Sequence, residues 1–103
     1  MAESIYAQIR TLFRQLVVRL ASLEDRCRTP NGVNNLRIGI QESVPLMETG
    51  EELLACDILI DNLYEANFLL DQELYSMILE LKRLLGLPVE TWRYLPELLP
   101  SSA

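Results

Sequence analysis

The chain has 103 residues, half of them hydrophobic, with 15 acidic against 9 basic side chains and a net charge of −6. That is enough for one domain with a core, which excludes a disordered polymer, and no apolar run reaches the roughly 18 residues that would span a bilayer. Histidine is absent, as are a Gly-rich phosphate loop, a Cys pair at zinc spacing and a serine elbow, so the sequence argues against an enzyme and implies neither a cofactor nor a resident metal.

The charge is unevenly distributed. Met1 to Arg37 carries six Arg against Glu3, Glu24 and Asp25, whereas the remainder carries three basic against twelve acidic residues. Segments of opposite sign are expected to dock on each other, although such charges align more than they stabilise. Cys27 and Cys56 sit at helix-core spacing, and unbridged thiols suit a reducing compartment, which places the chain in cytoplasm or nucleus.

In chain order, residues 3–28 read as the first helix. Ile5, Ile9, Leu12, Phe13, Leu16, Leu20, Leu23 and Cys27 form one stripe at helical period, flanked by Arg10, Arg14, Arg19 and Arg26. Val17 and Val18 fall outside that stripe, so contact extends beyond it. Thr29-Pro30-Asn31-Gly32 is the strongest turn in the chain, since Pro30 presets φ and Asn31-Gly32 tolerates positive φ. The connector over 29–48 is long for a structureless loop. Leu36, Ile38 and Ile40 alternate with polar or small residues in a strand-like manner, but no second strand is available, and a short helical turn ended by Pro45, or an extended segment, is expected instead.

The stretch from Thr49 to Leu85 dominates the reading. Leu53, Cys56, Ile60, Leu63, Asn67, Leu70, Leu74, Met77, Leu81 and Leu84 recur at alternating spacings of three and four, a heptad seam with one polar member. Thr49-Gly50-Glu51-Glu52 fits a capping box, while Lys82, Arg83, Gly86 and Pro88 signal the stop. The expected fold is therefore all-α: a two-helix hairpin with one long helix of about 35 residues over 50–85, completed as a helical bundle or coiled coil by oligomerisation. Such a rod would span roughly 50 Å at about 1.5 Å per residue, beyond a globule whose radius of gyration is only about 13 Å. Asn67 either sets register by pairing with its own copy on a parallel partner, or lies in a seam packed on the first helix of the same chain, where it meets an Arg, a backbone group or water. Tyr64, Phe68, Tyr75 and Leu79 line the opposite face; either they pack on helices of the same chain, or with Trp92 they form a partner face.

After Gly86, residues 87–103 read as a Pro-rich tail with one short helical turn, in which Trp92 and Tyr94 fold back as a lid over apolar surface. Asp57, Asp61 and Glu65, each four apart on the long helix, read as a solvated face. The functional expectation is a non-enzymatic protein-interaction module, a structural, adaptor or regulatory subunit that binds a protein partner or its own copies through the long helix. The alternative is a small acidic inhibitor or decoy, of viral or phage type, that occupies the basic nucleic-acid groove of a target. Binding of nucleic acid by the chain itself is opposed by its charge.

Overall fold

In the computed structural model, which describes residues 4–100, the chain forms four α-helices: α1 (Ile5–Ala21), α2 (Gly32–Glu48), α3 (Glu52–Glu65) and α4 (Gln72–Leu84). Short 3-10 turns lie at Glu24–Arg26 and Leu95–Leu98. The chain is all-helical as expected, but the arrangement is not a hairpin with one long arm.

Ser4 caps α1 by accepting from the Ala7 N–H at 3.1 Å. Glu3, the expected first residue of this helix, lies outside the described residues. The helix buries Ile9, Phe13, Leu16 and Leu20, the stripe that its periodicity indicates, but it ends at Ala21 rather than at Arg28. Ser22 closes it: both its backbone N–H and its hydroxyl donate to the Arg19 carbonyl, the hydroxyl at 2.7 Å.

The connector expected over 29–48 is itself a 17-residue helix. Its buried face is Gly32, Leu36, Gly39, Ser43 and Met47, a seam in which three of the five members are Gly or Ser and add nothing to an apolar count. Pro45 sits inside α2 without ending it. Both Pro45 and Gln41, whose carbonyl loses its helical partner to the proline, are exposed, so the defect faces solvent. The small seam residues bring α3 very close, since a Cβ added at Gly39 would lie 2.6 Å from Cβ of Asn62. Another at Gly32 would lie 2.7 Å from Cβ of Cys27 and 3.0 Å from the Ala66 carbonyl oxygen.

Thr49-Gly50 is a helix stop and not the start that a capping box implies. Gly50 has φ +87°, the Glu51 N–H donates to the Leu46 carbonyl at 2.9 Å, and the Gly50 N–H donates to Met47 at 3.3 Å, which is a Schellman motif. The Thr49 hydroxyl donates to the Leu46 carbonyl, and α3 begins with no side-chain cap.

The expected long helix over 50–85 is broken at its polar seam position. Asn67 stands in the left-handed region with φ +47°, the Asn67 N–H donates to Tyr64 at 2.9 Å, and the Phe68 N–H donates to Leu63 at 3.0 Å. This is the same Schellman geometry, with Asn in the place usually taken by Gly. The backbone groups freed by the break find partners in the segment after α1. Arg28 donates its N–H to the Ala66 carbonyl at 3.0 Å, and Leu69 donates to Arg26 at 2.9 Å. Cys27 and Phe68 form an antiparallel bridge, and the Arg28 guanidinium donates to both the backbone and the side-chain oxygen of Asn67. Phe68 is fully buried, a contribution of about 2–3 kcal/mol to holding the break in place. Asp71 then opens α4 by accepting from the Leu74 N–H at 2.8 Å. That bond, followed by the Arg26 guanidinium, holds the Asp71 carboxyl below its ordinary range. Gly86, at φ +67°, ends α4 as its sequence signals indicate, with Leu87 donating to Lys82 and Gly86 to Arg83.

Because the rod bends, nothing overhangs: the radius of gyration is 13.2 Å and the extents are 44 × 29 × 21 Å. Arg14 pairs with Glu48 and Arg19 with Glu73, so α1 runs antiparallel to α2 on one side and to α4 on the other.

Two outcomes follow for the backbone. Asn67→Ile meets a left-handed penalty of about 1–2 kcal/mol and should lower the denaturant midpoint, whereas Asn67→Gly should hold or raise it; a more stable Ile variant would mean that residue 67 is helical. Gly39→Ala gains about 1 kcal/mol in helix propensity yet should destabilise the protein by about 1–2 kcal/mol net through overpacking against Asn62. A stabilised Gly39→Ala protein would show that α2 and α3 are not held this close.

Candidate docking surface

Folding of α1 against α2 and α4 brings the two oppositely charged parts of the chain together. Arg10 meets Glu52 at 3.7 Å, Arg14 meets both oxygens of Glu48 at 3.1 Å, Arg19 meets Glu73, and Arg26 meets Asp71 at 2.8 Å. All four pairs join the Arg-rich segment to the acidic remainder; apart from Glu52, whose side chain is largely covered, their members are solvent-accessible, so the pairs fix register more than they stabilise. Arg37 instead turns back to Glu24 within its own segment.

These pairs frame the outer face of α1. Val18 stands out from that face at 69% exposure, far above the level of a packed valine. On one side of it an apolar groove of about 580 Å³ runs between α1 and α4, with Leu12 and Met77 in its floor and Arg19 and Glu73 on its rim. On the other side a groove of about 300 Å³ runs between α1 and α2, floored by Phe13, Val17, Val44 and Met47 and rimmed by Arg14 and Glu48. A protruding apolar side chain between two apolar furrows is suited to binding a surface of matching relief.

The residues assigned to the seam do not form such a surface. Cys56, Ile60, Leu63, Leu70, Leu74 and Leu81 are buried inside this chain, and Met77 and Leu84 are half-buried. Only Leu53 and Asn67 are exposed, the latter as a helix cap. The expected partner face divides likewise. Phe68 and Trp92 belong to the core and Tyr75 is half-buried, while Tyr64 and Leu79 are exposed but lie on different helices. Val18 was legible as an apolar residue outside the α1 stripe. Val44 and Met47 were hidden because their helix was read as connector; the spacing of Leu36, Gly39, Ser43 and Met47 was the available signal.

The carboxylate row on α3 has a structural use. Asp57 accepts from the Trp92 indole N–H and Asp61 from the Tyr94 hydroxyl, both at 2.9 Å, so the tail does fold back as a lid. Burial, and then the bond to Asp61, pushes the Tyr94 hydroxyl up. Burial likewise pushes the Cys56 thiol up to about 12, with Asp57 and Glu52 adding to it, and raises Cys27, so neither thiol is an activated nucleophile. Among the described residues no cluster of His, Cys, Asp and Glu has the makings of a metal site, and no helix is long and apolar enough to cross a membrane. Comparison of the chain with protein-family models, with curated proteins and with solved structures returns no significant match.

Proposed function

We propose that this chain is a non-enzymatic protein-interaction module, a structural, adaptor or regulatory subunit, which assembles with a second copy of itself through the outer face of α1. The observation that carries this reading is the relief of that face, with Val18 protruding between two apolar grooves. A ridge and a furrow side by side are what a two-fold contact requires, because each copy offers its ridge to the other's furrow. The rim supports the same occupant: Arg14 and Arg19 alternate with Glu48 and Glu73, so the surface meets its own copy without the repulsion that a rim of one sign would impose. The helical bundle is thus completed between chains along α1, in place of the long-helix seam. Unpaired Cys27 and Cys56 fit a reducing compartment, cytoplasmic or nuclear.

Sedimentation equilibrium at tens of micromolar tests the reading. The parent chain should give the mass of a dimer. Val18→Asp, which buries an unpaired carboxylate in each copy at a cost of several kcal/mol, should give a monomer with an unchanged helical spectrum. A parent that sediments as a monomer, or a Val18→Asp variant that keeps the dimer mass, rules out α1 as the contact.

A further inference from the structure

Residues 87–100 lie across α3 and the break between α3 and α4 in a way that separates what is held from what connects it. The held part has paired anchors. The Trp92 indole N–H donates to Asp57 Oδ1 and the Tyr94 hydroxyl to Asp61 Oδ1, each at 2.9 Å. The Tyr94 ring sits 4.5 Å from that of Tyr64, centroid to centroid, and the Leu70 N–H donates to the Leu98 carbonyl at 2.9 Å. Leu95 and Leu98 are each 1% exposed and fill the core between these polar ties. Asp57 and Asp61 are one turn apart on a single helix, so the receiving face is rigid and reads two aromatic donors spaced two residues apart in the tail. The connecting part is different. Gly86 takes a left-handed cap, Pro88 and Val89 are exposed, the latter at 87%, and the Lys82 ammonium donating to the Val89 carbonyl is a surface tie.

We propose that the face of α3 bearing Asp57 and Asp61 is a docking site for the C-terminal segment of a second copy of this chain, so that residues 87–100 exchange between protomers. Every contact of the exchanged form is already made within one chain, which leaves the connection over 86–89 as the part that changes. The difference between the closed and exchanged forms is then mainly the effective concentration of the tethered tail, on the order of millimolar for a short link. Exchange is therefore suppressed in dilute solution and favoured wherever copies are concentrated. This surface is separate from the outer face of α1, and the two contacts stand or fall independently.

A complementation experiment with two full-length variants removes the tethered competitor, both carrying Val18→Asp so that the α1 contact cannot produce the signal. The donor carries Asp57→Lys and Asp61→Lys, which leaves its tail, with the only tryptophan of the chain, without a face to occupy. The receiver carries Trp92→Ala and Tyr94→Ala, which leaves its α3 face open and the chain free of tryptophan. On mixing, Trp92 emission should shift to the blue, saturate at one donor per receiver, and be accompanied by a species of twice the monomer mass. Emission and mass equal to the sum of the separate components, with both variants helical, would overturn the proposal. Should either double variant lose its helical signal, the mixture of an Asp57→Lys donor, which frees Trp92 from its acceptor, with a Trp92→Ala receiver, which vacates the matching place, disturbs the core less and decides by the same two outcomes.

Discussion

The fold depends on a stitch between two irregular segments that are about forty residues apart in the chain. Asn67 accepts the left-handed conformation that ends α3, Phe68 drops into the core beside it, and the backbone of 66–69 exchanges hydrogen bonds with Arg26 and Arg28. Without those partners the carbonyl of Ala66 and the N–H of Leu69 would be unsatisfied at a buried place, a cost that would favour continuing the helix. With them, the break is the lower-energy path, and α4 swings back to run antiparallel to α1. The Leu70 N–H, also freed by the break, donates to Leu98 and thereby gives the C-terminal segment its docking point. The position of α4, the groove between α1 and α4, and the course of the tail all follow from this one interruption.

The two helix pairs are held by different means. α2 and α3 approach so closely that Gly39 has no room for a side chain beside Asn62, and small residues, Gly32, Gly39 and Ser43, make up three of the five buried positions of α2. α1 meets its neighbours through large side chains, Phe13, Leu16 and Leu20, and through charged pairs at the edges. A contact of large side chains on a round helix leaves furrows at its margins, whereas one built on glycine closes them. This is why both grooves border α1 and neither lies between α2 and α3. The candidate interaction surface is thus a consequence of which helices were given small residues.

Functionally, the structure redistributes the apolar residues that made the sequence look like an exposed rod. Most of the heptad seam is core of a single chain, so the assembly argued from an overhanging helix loses its basis. What the fold leaves at the surface is Val18 between its flanking grooves, while the aromatic tail covers the carboxylate pair of α3. Asp57 and Asp61 illustrate the change, since residues that read as a solvated row are the acceptors that position Trp92 and Tyr94.

The all-helical class, the buried stripe of α1, the turn at Thr29 to Gly32 and the stop at Gly86 were determined by the sequence alone because they depend on near neighbours. The mutual docking of opposite charges and the folding back of the tail were legible from composition, from the sign of each segment and from aromatic residues in a Pro-rich tail, but their partners, more than thirty residues away, were not. The rest required tertiary structure. A heptad count registers how often apolar residues recur and is blind to chain direction, and the six residues between α3 and α4 happen to keep Leu63, Leu70 and Leu74 in step across the break. Asn67 serves equally as a polar seam residue or as a left-handed cap; the choice is made by Arg26, Arg28 and the pocket for Phe68, none of which is local. In α2 the difficulty is the reverse. Gly32, Gly39 and Ser43 are buried because α3 lies against them, so the face has no apolar signature until its neighbour is in place.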